Sequence, residues 1–116
     1  MIKFEERELE TMKKSGQVVG HVAENYISEL YQLDRARSVE DFEKQIKNIG
    51  LRAISIEKKG ESVYTEPLGD LMNLVNKYKE NYDEIKDIVL VYSAYYLSAI
   101  KYSKKQGGGQ NAKQGN

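Results

Sequence analysis

Apolar residues recur at spacings of three and four along most of the chain, the pattern of helices that bury one face. In the first segment the stripe is Leu9, Met12, Gly16, Val19, Ala23, Tyr26, Leu30 and Leu33, which predicts one long helix. Gly16 and Ala23 lie within this stripe and Gly20 lies beside it, so another backbone is expected to approach closely. Each glycine costs about 1 kcal/mol of helix propensity relative to alanine. The small-xxx-small pair of Gly16 and Gly20 is read as helix packing, because the motif specifies dimerisation only inside an apolar membrane segment.

A second helix opens at Ser38, where Ser-Val-Glu-Asp offers a hydroxyl at the N-cap and an acid at N3. Acids at Glu40, Asp41 and Glu43 then suit the positive end of the helix dipole. The stripe Val39, Phe42, Ile46, Ile49, Ala53 and Ile56 either runs past Gly50 to a stop at Lys58-Lys59-Gly60 or breaks at Gly50 into a short extended piece. Leu51 and Ile54 fall outside it. Residues 60–67, GESVYTEP, collect turn formers, and Pro67 suits the first turn of a third, short helix carrying Leu68, Leu71, Met72, Val75 and Tyr78. Asn81 and Asp83 offer caps for a fourth helix. There Ile85, Ile88, Tyr92, Tyr95, Ala99 and Tyr102 form one stripe, which Val89, Leu90, Val91 and Tyr96 widen. A helix apolar over so much of its circumference is expected to be central or covered by a partner chain, and most of the 9 Tyr are expected in the core. The prediction is an all-α fold: a compact bundle of about four to five helices over residues 1–105, then a disordered Gly/Gln/Asn tail over residues 106–116.

At 116 residues and 13.3 kDa the chain is one domain's worth. With 0 Cys there are no disulfides, thiolate metal sites or cysteine nucleophiles, which fits a reducing compartment. No stretch approaches the roughly 18 apolar residues of a membrane span, and the opening MIKFEERELE carries charge where a signal peptide needs its apolar core. A soluble, cytoplasmic protein without membrane contact is expected. One His, no nucleophile elbow and no phosphate-cradling glycine loop argue against an enzyme, and no cofactor or small-molecule substrate is expected. His21 and Glu24 are spaced to share a metal, yet two ligands do not make a site, and they read as a surface pair. Asp83 and Asp87 near a helix start are explained by the dipole.

Charge adds the one chemical lead. The net charge is zero, but residues 34–60 carry seven cationic side chains against five acidic ones, and residues 88–116 carry four against none. On a helical wheel Lys44, Lys47, Arg52, Lys58 and Lys59 cluster opposite the apolar stripe of the second helix, with Arg35 and Arg37 just before it. Lys101, Lys104 and Lys105 form a second group, interleaved with Tyr95, Tyr96 and Tyr102. Such cations make sequence-independent contacts to phosphates, and exposed tyrosines stack on unpaired bases. The plainer reading is a solvated face whose lysines favour a helix C-terminus.

The run ELYQLDRARSVEDFEKQIKNIGLRA, residues 29–53, together with MKKSGQVVG, residues 12–20, resembles the helical small subunit of CRISPR Cascade complexes. It is similar also to the helical C-terminal domain of the Cascade large subunit. The resemblance rests on Leu30, Tyr31 and Leu33, then Ala36, Arg37 and Ser38, then Phe42, then Leu51, Arg52 and Ala53, and covers about residues 9–105. It implies a non-enzymatic helical subunit of a type I surveillance complex in antiviral defence. Its partners would be the backbone and large subunits, copies of itself, and the displaced strand of crRNA-guided target DNA. Base pairing supplies sequence specificity in that setting, so the protein needs only backbone contacts that stabilise the R-loop. Acidic residues 61–87 would dock on basic neighbours. Two alternatives stand beside it: a small subunit of a type III, RNA-targeting effector, and a structural adaptor that touches no nucleic acid.

Overall fold

The structure, a computed structural model, describes residues 2–56 and 65–115, with the backbone alone for Thr65 and for residues 106–115. Among the described residues five α-helices follow one another: α1 (Glu6–Asn25), α2 (Ile27–Asp34), α3 (Val39–Ile56), α4 (Thr65–Lys77) and, after a 3-10 turn at Lys79–Asn81, α5 (Tyr82–Gly115). No strand occurs among the described residues, and the all-α bundle expected from the periodicity is the fold observed. The stop expected at Lys58-Lys59-Gly60 lies outside the described residues, and the tail expected from residue 106 falls where only the backbone is described, as the end of α5 to Gly115.

Local signals in the sequence account for several boundaries. The Asp41 amide donates to Ser38 Oγ at 3.1 Å, so Ser38 caps α3 as its spacing implies. Helix α3 then runs unbroken through Gly50 to Ile56, which excludes the extended piece over Leu51 to Ile56. Pro67 sits in the first turn of α4, where its missing amide is not needed, and its carbonyl accepts from Ser15 Oγ of α1 at 3.0 Å.

The single long first helix is corrected to two. Tyr26, with φ −134° and ψ 65°, ends α1 by donating its amide to Val22 at 2.9 Å, and its carbonyl accepts the Glu29 amide at 3.0 Å as α2 begins. The physical cause is local and tertiary together. Asn25, Tyr26, Ile27 and Ser28 are all modest helix formers. Gln45 of α3 then fixes the new direction by donating from Nε2 to the Glu29 carbonyl at 3.2 Å and to Glu29 Oε2 at 3.0 Å. The bend returns Leu33 and Ala36 to the core, while Leu9, placed in the buried stripe by its spacing, is 39% exposed.

The core is continuous across the helices. Met12, Leu33, Phe42, Ile49, Leu71, Val75, Ile85 and Val89 have no exposed surface. Its widest seam joins α1 to α5, which run parallel: Gly16 lies against Val89, Tyr92 and Ser93, and Gly20 against Ser93 and Tyr96. A Cβ on Gly16 would stand 2.5 Å from Tyr92 Cβ, and one on Gly20 would stand 2.7 Å from the Ser93 carbonyl oxygen. The close backbone approach expected from the small residues is therefore present, and it explains why α1 keeps two glycines despite their helix penalty.

Candidate nucleic-acid interface

The turn between α2 and α3 is held from outside. Lys86 of α5 donates from Nζ to the carbonyls of Asp34, at 2.9 Å, and Ala36, at 2.7 Å, so one ammonium caps the C-terminal end of α2 and clamps the residues on either side of Arg35. Arg35 closes α2 in helical geometry with its amide on the Tyr31 carbonyl at 3.1 Å, and Arg37 stands exposed two residues further on. Lys44 and Lys47 project from the solvent side of α3. Arg35 and Lys44 line a shallow polar hollow of about 360 Å³ with Gln32, Asp41, Gln45 and Asn48. Asp41 belongs to the acidic first turn of α3, so the helix N-terminus is already complemented and the attraction of this corner for an anion comes from its side chains.

Other sequence-selected cations are placed differently. The Arg52 guanidinium lies 4.5 Å from the centre of the Tyr26 ring, stacked over the α1–α2 bend, so it stands apart from the lysines of the same helix. Lys104 Nζ lies 2.9 Å from Glu24 Oε2 of α1, an ion pair without an aligned hydrogen bond. Lys101 and Lys105 are exposed on α5. Lys58 and Lys59 lie outside the described residues. From Lys86, at the corner, to Lys101 is about 22 Å of helix, so the two cationic groups are separate places and not one strip. Among the described residues, Arg35, Arg37, Lys44, Lys47, Lys101 and Lys105 make no ion pair.

The tyrosines divide as well. Tyr95 and Tyr102 are 76% and 66% exposed, whereas Tyr96 is packed against Gly20 and is not free to stack on a base. The expectation that most tyrosines sit in the core is met in part: Tyr26, Tyr78 and Tyr82 pack half-buried against the core, and none of the described eight is fully buried.

Sequence reasoning missed a third ionic cluster. Glu8 is buried at the start of α1, where its carboxylate accepts from the Glu5 amide at 2.9 Å, from Lys77 Nζ at 2.9 Å and from Tyr78 Oη at 2.9 Å. Burial alone would raise its pKa, but the Glu5 amide, Lys77 and Tyr78 outweigh that and hold it below the usual carboxylate range. Lys77, hydrogen-bonded to Glu8 and lying against Tyr78, is raised. The Tyr78 ring also meets Phe4 edge-on at 5.3 Å. This cluster ties the start of α1 to the end of α4. The readable signal was Glu8 at N3 of α1, the capping-box position.

Among the described residues no group of three or more His, Cys, Asp or Glu side chains converges as for a metal ion, and no helix is long and apolar enough to cross a membrane. No protein-family model, curated protein or solved structure matches this chain.

Proposed function

We propose that this chain is a non-enzymatic helical subunit of a nucleic-acid-containing assembly, and that the corner built by Arg35, Arg37, Lys44 and Lys47 is the surface it presents to the phosphate backbone. The observation that carries the reading is the contrast in pairing. Lys77 and Lys104 are neutralised by carboxylates of the bundle, while these four cations are exposed and unpaired among the described residues, and Lys86 clamps the turn that carries Arg35 and Arg37. With zero net charge the isolated chain has little long-range pull on a polyanion, so contact is expected inside a complex that already holds the nucleic acid.

The resemblance of residues 12–20 and 29–53 to the small subunit of type I CRISPR Cascade complexes supplies the specific form of the proposal. The chain bridges the backbone and large subunits, and its cationic corner steadies the displaced DNA strand of the R-loop. Contacts of this kind need no base readout.

The test is co-purification with neighbouring gene products and a guide RNA, followed by salt titration of target binding. A variant carrying Arg35→Glu, Arg37→Glu, Lys44→Glu and Lys47→Glu is compared with the unaltered chain. The expected result is intact assembly and helicity, weaker target binding, and a salt slope reduced by about 0.7 for each single-strand phosphate that is no longer neutralised. Unchanged affinity and slope would overturn the phosphate assignment.

A further inference from the structure

Helix α5 has two working faces, and only one is used inside the bundle. The inner face carries Ile85, Val89, Ser93 and Leu97, all buried, with Tyr92 and Tyr96 against the glycines of α1. The outer face carries Val91, Tyr95 and Tyr102 at 67%, 76% and 66% exposure. With half-buried Ile88 and exposed Ser98 they form the series 88, 91, 95, 98, 102, whose steps of three and four are those of a coiled-coil seam. Large apolar side chains aligned on one face are unlike the scattered exposure ordinary in a soluble surface.

The charges beside this seam identify what covers it. Exposed Asp87 and half-buried Glu84 stand at its N-terminal end, exposed Lys101 and Lys105 at its C-terminal end, and no acid occurs between residues 88 and 116. Two copies of α5 laid side by side in the same direction would set acid against acid and lysine against lysine. Laid antiparallel about a two-fold axis, they bring Asp87 beside Lys101 of the second copy and Glu84 within a turn of its Lys105, while Tyr95 packs on the second copy's Val91 and Ile88 on its Ser98. In an antiparallel pair of this heptad register, Asp87 and Lys101 occupy equivalent flanking positions, which face each other across the seam. Glu84 also accepts the Ile2 amide at 3.3 Å through Oε2, which leaves its other oxygen for the lysine. The charge pairs and the apolar seam thus centre on the same turn of α5, which is what a self-complementary surface requires.

We propose that the outer face of α5 is a self-association surface, on which a second copy of this chain docks antiparallel through Val91, Tyr95 and Tyr102, with Asp87–Lys101 and Glu84–Lys105 pairs at both ends. The proposal does not rest on the nucleic-acid reading, since it uses neither Arg35, Arg37, Lys44 nor Lys47. It assigns Lys101 and Lys105 to the interface between copies.

The test is sedimentation velocity on the full chain from micromolar to millimolar concentration, at low and high salt. A monomer–dimer equilibrium is expected, weakened by salt and weakened at least tenfold by Tyr95→Glu, whose exposed position leaves the helical circular dichroism unchanged. Because the chain has no native cysteine, orientation is read directly. An equimolar mixture of Asp87→Cys and Lys101→Cys chains is expected to form the mixed disulfide in preference to either symmetric one. A wild-type chain that stays monomeric throughout overturns the proposal, whether or not a foreign protein or nucleic acid binds the same face. So do a dimer insensitive to Tyr95→Glu and preferential formation of the symmetric disulfides.

Discussion

The two faces of α5 carry similar side chains and meet different fates. Tyr92 and Tyr96 are half-buried against Gly16 and Gly20, while Tyr95 and Tyr102 stand in solvent. Hydrophobicity does not decide between them, since tyrosines and valines occur on both. The choice is made by the opposing surface. Two missing side chains on α1 create a channel that accepts the Val89–Tyr92–Ser93–Tyr96 ridge, and Ser93, back-bonded to the Val89 carbonyl at 2.7 Å, keeps that ridge low. Packing follows shape once polarity is equal.

The largest effect is expected where that channel is filled. Gly16→Val, which places branched carbon into Tyr92 and the Val89 carbonyl, is expected to destabilise the fold by about 3 kcal/mol, the upper part of the range for overpacked cores. Urea unfolding followed by circular dichroism measures it, and a neutral result would mean that α1 and α5 separate readily. Next comes a matched pair on the two faces. Val89→Ala, fully buried, is expected to cost about 1.5 kcal/mol for the two methylene equivalents removed, whereas Val91→Ala is expected to stay within about 0.5 kcal/mol. Equal costs measured below the dimerisation range would erase the distinction between the faces.

Much of this division was hidden in the sequence. Three- and four-residue spacing reported that α5 is apolar on several sides, and it predicted a stripe through Tyr95, Ala99 and Tyr102 that the structure turns outward. A wheel gives relative angles and no absolute direction, and only the docked partner supplies the latter. The glycines of α1 were legible as a close approach, yet nothing local says which ridge of α5 enters it. Ser38 and Pro67 were legible because caps and first turns are set within a few residues. The bend at Tyr26 was not, because it depends on Gln45 reaching Glu29 across the fold. The cationic corner was half legible. Arg35, Arg37, Lys44 and Lys47 were found by charge and position, while Lys86, which clamps the turn at Arg35 from roughly 50 residues away, announces itself only in three dimensions.

Smaller effects sharpen the contrast at the ends of the helices. Lys86→Met is expected to cost about 1 kcal/mol by freeing two carbonyls that water then solvates, and to speed amide exchange in the Asp34–Ala36 turn while leaving the α1–α5 seam protected. Glu8 gives the pH dependence. Its pKa is lowered in the folded state, so its contribution is fully present above the pKa of the unfolded chain and is lost as pH falls through the folded value. Glu8→Gln is therefore expected to be the less stable chain at neutral pH by on the order of 1 kcal/mol, with the difference vanishing in acid; a pH-independent gap in chemical denaturation would contradict this.

The seam between α1 and α5 joins an early stretch of polypeptide to a late one. Gly16 leaves the ribosome roughly 76 residues before Tyr92, an interval on the order of 4–15 seconds at ordinary rates of synthesis. Throughout that time the groove on α1 lacks its native occupant, and the nascent chain offers an open apolar slot beside a ridge not yet made. The largest contact of the fold is thus made late in synthesis, and a truncated product ending before α5 is the species that cellular quality control would be expected to meet first.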